Sequence, residues 1–333
     1  MTHPQRMAIH LPAPGAVSAT LELARWAEAE GFDDVWFADS GGVDALTAAA
    51  AVAGQTRRVR LGTAIVPVYT RTPAVLAASA MTLSHLAPGR FLLGLGASSH
   101  AMIEGWHGLK LEAPLTRVKE TALLVRELLA GGKTNFTGQT LRSKGYALTP
   151  PAQNPVPILL AGLRGKMLEM AGEVGDGVVI NLFPYEVLPR LLAHVDTGAK
   201  RAGSSLAARE IVCRHQICVT DDKPAARERF RKLFAPYYAT PVYNQFLAWC
   251  GYEGVAQTIT QGWQAKDRAR TAGALSDDLV DRIAILGTAE ECQARIAELA
   301  CGGITTHILC CFSENPAERR DTLAAFHPGV FRP

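Results

Sequence analysis

Three stretches of the 333-residue chain bring together residue types that could do chemistry. Asp39 follows directly on the apolar run Val35-Trp36-Phe37-Ala38 and is followed by Ser40-Gly41-Gly42. A carboxylate at the exit of a buried run either caps the loop through backbone N–H groups or hydrogen-bonds a ligand and manages a proton. Leu163-Arg164-Gly165-Lys166 follows Ile158-Leu159-Leu160-Ala161-Gly162 and opens a helix over residues 164–174. Backbone N–H groups, the positive end of a helix dipole and two cations meet there, which suits phosphate or another anion. Gly162 is expected to let such a ligand approach the backbone. The run Phe91-Leu92-Leu93-Gly94-Leu95 stops in Gly96-Ala97-Ser98-Ser99-His100, where small residues offer amides and two hydroxyls. Metal and nucleophile chemistry find no such support: the nine histidines contain no H-x-x-x-H pair, the seven cysteines no C-x-x-C, and G-x-S-x-G is absent. No metal is expected, and a bound organic cofactor is left to carry a reaction.

Residues so scattered need a scaffold that gathers them. Met7-Ala8-Ile9-His10-Leu11 reads as a first strand closed by Pro12, Pro14 and Gly15, and a helix capped by Ser18 follows, with Leu23, Ala24, Ala27 and Gly31 on one face. Further strands fall at 35–38, 60–66 and 90–95, separated by an alanine-rich helix over 44–55 and a helix with Pro73 in its first turn. A longer connection over 100–115, a helix and a small hairpin (134–136 with 140–142) lead to strands at 158–161, 178–180, 211–219 and 306–311. Residues 221–282 break the rhythm, being helical and aromatic, and read as an inserted lid or oligomer interface. Eight strands alternating with helices demand parallel pairing with right-handed crossovers. The expected fold is α/β, a single (β/α)8 TIM barrel domain spanning 1–333 with a mostly helical insertion after strand seven. A doubly wound sheet would need G-x-G-x-x-G after its first strand, and Pro12-Ala13-Pro14-Gly15 does not supply it. In a barrel the chemistry sits where the strands end, which singles out His10, Asp39, the segment after Ala64, residues 96–100 and 161–165, Asn181 and the surroundings of His215.

Composition narrows the partners. With 48% apolar and 20% charged residues and a net charge of +3, neither nucleic acid nor a membrane is indicated. The odd cysteine count suits reduced thiols in a cytoplasmic protein, and no signal peptide or spanning run is apparent.

Gly31-Phe32-Asp33-Asp34-Val35-Trp36-Phe37-Ala38-Asp39, Leu61-Gly62-Thr63-Ala64-Ile65-Val66-Pro67 and Pro88-Gly89-Arg90-Phe91-Leu92-Leu93-Gly94-Leu95-Gly96 resemble the bacterial luciferase-like superfamily, in particular its deazaflavin-dependent branch of methylenetetrahydromethanopterin reductase-like oxidoreductases. Glu173-Val174-Gly175-Asp176-Gly177 and Gly287-Thr288-Ala289-Glu290-Glu291 extend the match over nearly the whole chain. The resemblance implies hydride transfer between coenzyme F-420 and a small-molecule substrate at the barrel mouth, in a protein that is often a homodimer. It implies a catalytic Asp39 beside the cofactor, a non-proline cis peptide at Ala64–Ile65 behind the ring, tail contacts from Gly96, Ala97, Ser98, Ser99, Ala161, Gly162, Leu163, Arg164 and Gly165, and further cofactor contacts from Ser40 and Asn181. His10, Trp106 and His107 are expected to line the substrate pocket. The alternatives are an FMN-dependent monooxygenase of the same superfamily and a non-catalytic flavin or deazaflavin carrier. Two departures matter: Ser40 stands where the superfamily commonly has histidine, and Ser99 where sugar-phosphate-oxidising members carry glutamate. Both remove a base and disfavour alcohol oxidation.

Overall fold

Runs that are apolar on both faces belong in a sheet covered on both sides, and eight of them close here into one parallel barrel. The computed structural model describes residues 3–13 and 15–333, so Pro14 of the first loop lies outside the described residues. In chain order the strands are β1 (Arg6–Leu11), β2 (Asp34–Phe37), β3 (Arg60–Thr63), β4 (Val66–Pro67), β5 (Phe91–Gly96), the hairpin β6 (Asn135–Thr137) and β7 (Arg142–Lys144), β8 (Ile158–Ala161), β9 (Gly177–Asn181), β10 (Glu210–Val219), β11 (Ala284–Gly287) and β12 (Thr306–Cys311). The ring runs β1-β2-β3-β5-β8-β9-β10-β12 and back to β1, all parallel. In that ring of eight, β10 stands diametrically opposite β3. β11 lies outside it, paired to the last turns of β10.

Several boundaries differ from the sequence expectation, each for a local reason. The first helix is Val17–Ala29 with Ala16 as its uncapped N-cap, so Ser18 sits inside the helix rather than capping it. The third strand breaks at the cis Ala64–Ile65 peptide and resumes as β4. The hairpin turns over residues 138–141, which moves its second strand two residues later. Elsewhere the caps follow the sequence: Asp44 accepts from the Thr47 amide at 2.7 Å, and Thr288 forms a capping box with Glu291. The insertion folds as helices Lys223–Tyr238, Pro241–Trp249, Glu253–Gln264, Arg268–Gly273 and Asp277–Ile283 around a core of its own that includes Phe230, Tyr238, Leu247 and Ile259.

Side chains fill the barrel in layers. Ala8, Trp36, Leu92, Leu159, Val179, Val212 and Ile308 form an apolar middle. The Trp36 ring occupies the space a Cβ on Gly62 would need, 2.3 Å from ring carbon, so residue 62 has to be glycine. Beneath lies a charged floor. Arg60 donates to Asp34 at 2.7 and 2.6 Å and to Glu210 at 3.1 and 2.6 Å, while Thr306 donates to Glu210 at 2.6 Å. Arg6 approaches Asp34 at 3.7 Å. Removing Arg60 would strand two buried carboxylates, so Arg60→Leu should cost about 3–5 kcal/mol of unfolding free energy in denaturant titrations; a loss below 1 kcal/mol would show that the floor reorganises.

Cys213, His215 and Ile217 point outward, into the layer between sheet and helices. There Tyr185 Oη meets His215 Nδ1 at 3.2 Å, His215 Nε2 meets His307 Nδ1 at 3.1 Å, and His307 Nε2 meets Gln5 at 3.1 Å. Burial lowers His307 to about 3, and burial followed by the neighbouring His307 holds His215 well below its ordinary value. Both folded-state values lie below the unfolded one, so the stability these neutral rings contribute is complete above pH ~6.5 and is lost as pH falls from there. Between pH 7.5 and 5 the unfolding free energy should drop by about 2 kcal/mol per histidine; a flat profile would contradict the neutral pair. Among the described residues no helix is long and apolar enough to cross a membrane, and no group of three His, Cys, Asp or Glu residues could hold a metal ion.

Candidate functional site

The floor is charged and the middle filled, so only the C-terminal mouth can admit a ligand. On its β3 side the chain builds a platform. The Ala64 amide donates to Phe37 O at 2.7 Å and the Asp39 amide to Ile65 O at 3.3 Å, tying the bulge to the end of β2. Ile65 and Ala161 sit on top of the interior cluster, and Ile65 is partly exposed. A Cβ on Gly96 would come within 3.0 Å of the Ile65 side chain and 3.1 Å of Ala161 Cβ, and one on Gly94 would meet Thr63 O at 1.8 Å. Glycine at both positions lets the three strand ends lie flush as an apolar surface.

Polar groups border that surface. Asp39 is partly buried and accepts from Arg71 Nη1 at 2.5 Å, and Arg71 also pairs with Asp44. The capping role open to Asp39 on sequence falls instead to Asp44, whose carboxyl is lowered from its ordinary value: burial opposes this, while the Thr47 hydrogen bonds and Arg71 outweigh it. Arg71 was missed by sequence reasoning because its partner lies 32 residues away. Its signal is modest, a cation in Thr70-Arg71-Thr72-Pro73 just past the third strand exit. Ser40 is exposed, and the ring of Trp106 packs over Gly41, 3.3 Å from where a Cβ would stand. Trp106 ends a π-helical turn, Ala101–Trp106, and His107 follows it exposed on the rim. Ser98, at φ 64°, turns its hydroxyl onto Met102 Sδ at 3.1 Å, and Ser99 Oγ accepts from the Met102 amide at 3.4 Å. Ala97, like both serines, is partly exposed.

Next to this loop, the helix Gly165–Val174 starts at Arg164 with no side-chain cap, which leaves first-turn N–H groups available beside Leu163, Arg164 and the exposed Lys166. Arg164 also donates to Gln245 of the insertion at 3.0 Å. The cleft after β10, β11 and β12, of about 530 Å³, is lined by the carboxylates Asp221, Glu290, Glu318 and Asp321. Gly162 also has a packing role that its sequence does not announce. A Cβ there would lie 2.9 Å from Leu168 Cδ2 and 3.2 Å from the Leu168 amide, so glycine lets the helix dock closely on β8.

Across the mouth, His10 and Asn181 point inward from β1 and β9. His10 Nε2 lies 3.1 Å from Arg214 Nη2, and Asn181 accepts from Gln216 at 3.2 Å. Burial and then Arg214 lower His10 to about 3, so it is a neutral ring. Sequence pattern pointed to the surroundings of His215, but His215 faces outward while Arg214 and Gln216 face the mouth. A strand's faces alternate, and the useful residues were one position to either side.

A sequence model of the luciferase-like monooxygenase family matches residues 1–306. Over 329 residues the chain is 30% identical to a Mycobacterium tuberculosis protein assigned as a coenzyme F-420-dependent oxidoreductase, covering 91% of this chain and 93% of that one. It is 32% identical to the 5,10-methylenetetrahydromethanopterin reductase of Methanolobus tindarius over 286 residues, covering 85% and 86%. Among solved structures, the coenzyme F-420-dependent tetrahydromethanopterin reductase of Methanopyrus kandleri superposes with a TM-score of 0.81 at 22% identity, covering 97% and 98% of the two chains, which establishes the shared fold.

The packing of Gly162 is directly testable. Gly162→Ala should lower the unfolding free energy of the ligand-free protein by about 1–3 kcal/mol through overpacking against Leu168; unchanged stability would show that the helix docks without needing glycine there.

Proposed function

The chain belongs to the luciferase-like monooxygenase family, in its branch of coenzyme F-420-dependent oxidoreductases, and from that premise we propose that it passes hydride between coenzyme F-420 and a small organic substrate at the barrel mouth. The observation that carries the reading is the Ala64–Ile65 platform bordered by the Asp39–Arg71 pair at one end of four adjacent strands and by the uncapped helix start at the other.

The residues present fit such a group. Ile65, Gly96 and Ala161 would receive a flat ring on apolar surface, and Ala64 would back it. Ala97, Ser98, Ser99 and the stretch Gly162 to Gly165 would hold the phosphate-bearing tail, with the helix dipole, Arg164 and Lys166 opposing its charge. Bound there, the deazaflavin would supply a carbon at the ring position where FMN has nitrogen, so that it gives or takes hydride and does not carry oxygen as the flavin can. Asp39 and Ser40 would orient the polar edge of the ring, and Arg71 fixes the Asp39 carboxylate so that its remaining lone pairs point one way. Asn181 would border the far side of the pocket with His10, and Trp106 with His107 would close its rim.

Fluorescence titration with each cofactor tests the reading. Coenzyme F-420 should bind at least about tenfold tighter than FMN, and turnover should proceed without oxygen consumption. Tight FMN binding with no deazaflavin binding, or oxygen uptake, would favour the monooxygenase instead. Asp39→Asn should lower kcat by about tenfold or more while cofactor affinity changes less than about threefold; an unchanged kcat would leave Asp39 a purely structural partner of Arg71.

A further inference from the structure

Most arginines of this chain are accounted for. Arg60, Arg71, Arg126, Arg227 and Arg231 pair with carboxylates, and Arg90, Arg117 and Arg209 donate to backbone carbonyls. Arg214 is different. It projects from β10 into the mouth, partly buried, and among the described residues no carboxylate lies within 4 Å of it. Its contacts are His10 Nε2 at 3.1 Å and the Cys310 thiol, and its Nε is buried with no partner.

None of those neighbours can carry the compensating charge. The His10 ring is neutral, and burial raises both the Cys310 thiol and the Tyr243 phenol, so neither is an anion near neutral pH. Gln216 and Asn181 are amides engaged with one another, and Tyr243 from the insertion helix Pro241–Trp249 lies beside Asn181. A guanidinium held in a pocket with an uncompensated charge and a spare donor is a costly arrangement unless something anionic completes it. The cradle consists of one cation, two amides, a phenol and a neutral imidazole, and its planar fork matches a carboxylate.

Position decides whose carboxylate. β10 is opposite β3 in the ring, so Arg214 faces the Ala64–Ile65 platform from across the mouth. We propose that Arg214 binds a carboxylate of the substrate, which makes the substrate a small organic acid whose reacting carbon is held over the platform. This rests on the cofactor lying against Ile65, as argued above. Tyr243 brings the insertion into the same half of the mouth, so the insertion contributes to substrate selection.

Calorimetry with benzoate, its neutral isostere benzamide and inorganic phosphate tests the assignment, first on protein without cofactor and then with coenzyme F-420 added. Benzoate should bind the wild-type protein about ten- to a hundredfold tighter than Arg214→Gln, with Arg214→Lys in between and benzamide indifferent to the substitution. Coenzyme F-420 affinity should change by less than about threefold in Arg214→Gln. Equal benzoate binding in all three proteins overturns the proposal. So does loss of the cofactor in Arg214→Gln, which would put the guanidinium on the ring, and so does phosphate binding to the exclusion of benzoate. If coenzyme F-420 fails to bind while the benzoate difference persists in the unloaded protein, the cofactor reading falls and the anion site stands.

Discussion

Arg60 spans the barrel floor. It leaves β3, satisfies Asp34 on the neighbouring β2, and reaches Glu210 on β10 at the far side of the ring. Burial opposes its charge, and the two carboxylates outweigh burial and raise it. One guanidinium therefore links strands that are about 150 residues apart in the chain, in a layer where nothing else could bridge the diameter. Its position fixes everything above it through the two-residue period of a strand. From Asp34 the same face continues to Trp36, from Arg60 to Gly62 and Ala64, from Glu210 to Val212, Arg214 and Gln216. With the floor held by ions and the middle by Trp36, the mouth is the one layer of the interior left for a ligand. Arg214 then stands four residues above Glu210, ~13 Å along the strand.

The mouth is electrically divided as a consequence. On the β2–β3 side one cation, Arg71, serves two carboxylates, Asp39 and Asp44, and the local balance is negative. On the β10–β1 side Arg214 has only neutral company. A ligand pair that places a proton-donating or polar edge near Asp39 and an anion near Arg214 is favoured in one orientation and opposed in the other. Charge separation across a low-dielectric mouth acts over a distance at which exposed charges would be screened.

The ring itself was readable from composition and rhythm, because a strand buried on both faces leaves an unbroken apolar run and its exit is marked by glycine or proline. The strand 158–161 and the strand 306–311 fall where the apolar runs place them. Contacts set by the third dimension were not readable. Nothing near Asp39 in sequence announces Arg71. On β10 the polar residues Arg214, His215 and Gln216 are consecutive, and sequence offers no sign of which parity faces inward; that is decided by Glu210 joining the floor. The packing of Gly162 against Leu168 was not readable, because a glycine after a strand has the same signature whether a helix or a phosphate approaches it. The short β11 escaped notice because Ala284-Ile285-Leu286-Gly287 directly continues a helix, with no turn residue between them.

Ser40 acquires a specific meaning in this setting. Where the superfamily commonly places an imidazole, this chain has an exposed hydroxyl beside Gly41 and the Trp106 ring. The other imidazole inside the mouth, His10, is held neutral by burial and by Arg214, far from a value at which it could exchange a proton near pH 7. The Cys310 thiol and Tyr243 phenol are raised by burial, which makes them donors of hydrogen bonds rather than bases. These imidazole, thiol and phenol groups thus position and polarise without supplying a base, which leaves the Asp39 carboxylate as the acid–base candidate among the strand ends. The remaining imidazoles near the site, His100 and His107, lie exposed at the two ends of the turn Ala101–Trp106. Under the hydride-transfer reading, proton exchange with a substrate falls to the Asp39 carboxylate or to the open rim, by way of that turn or of solvent.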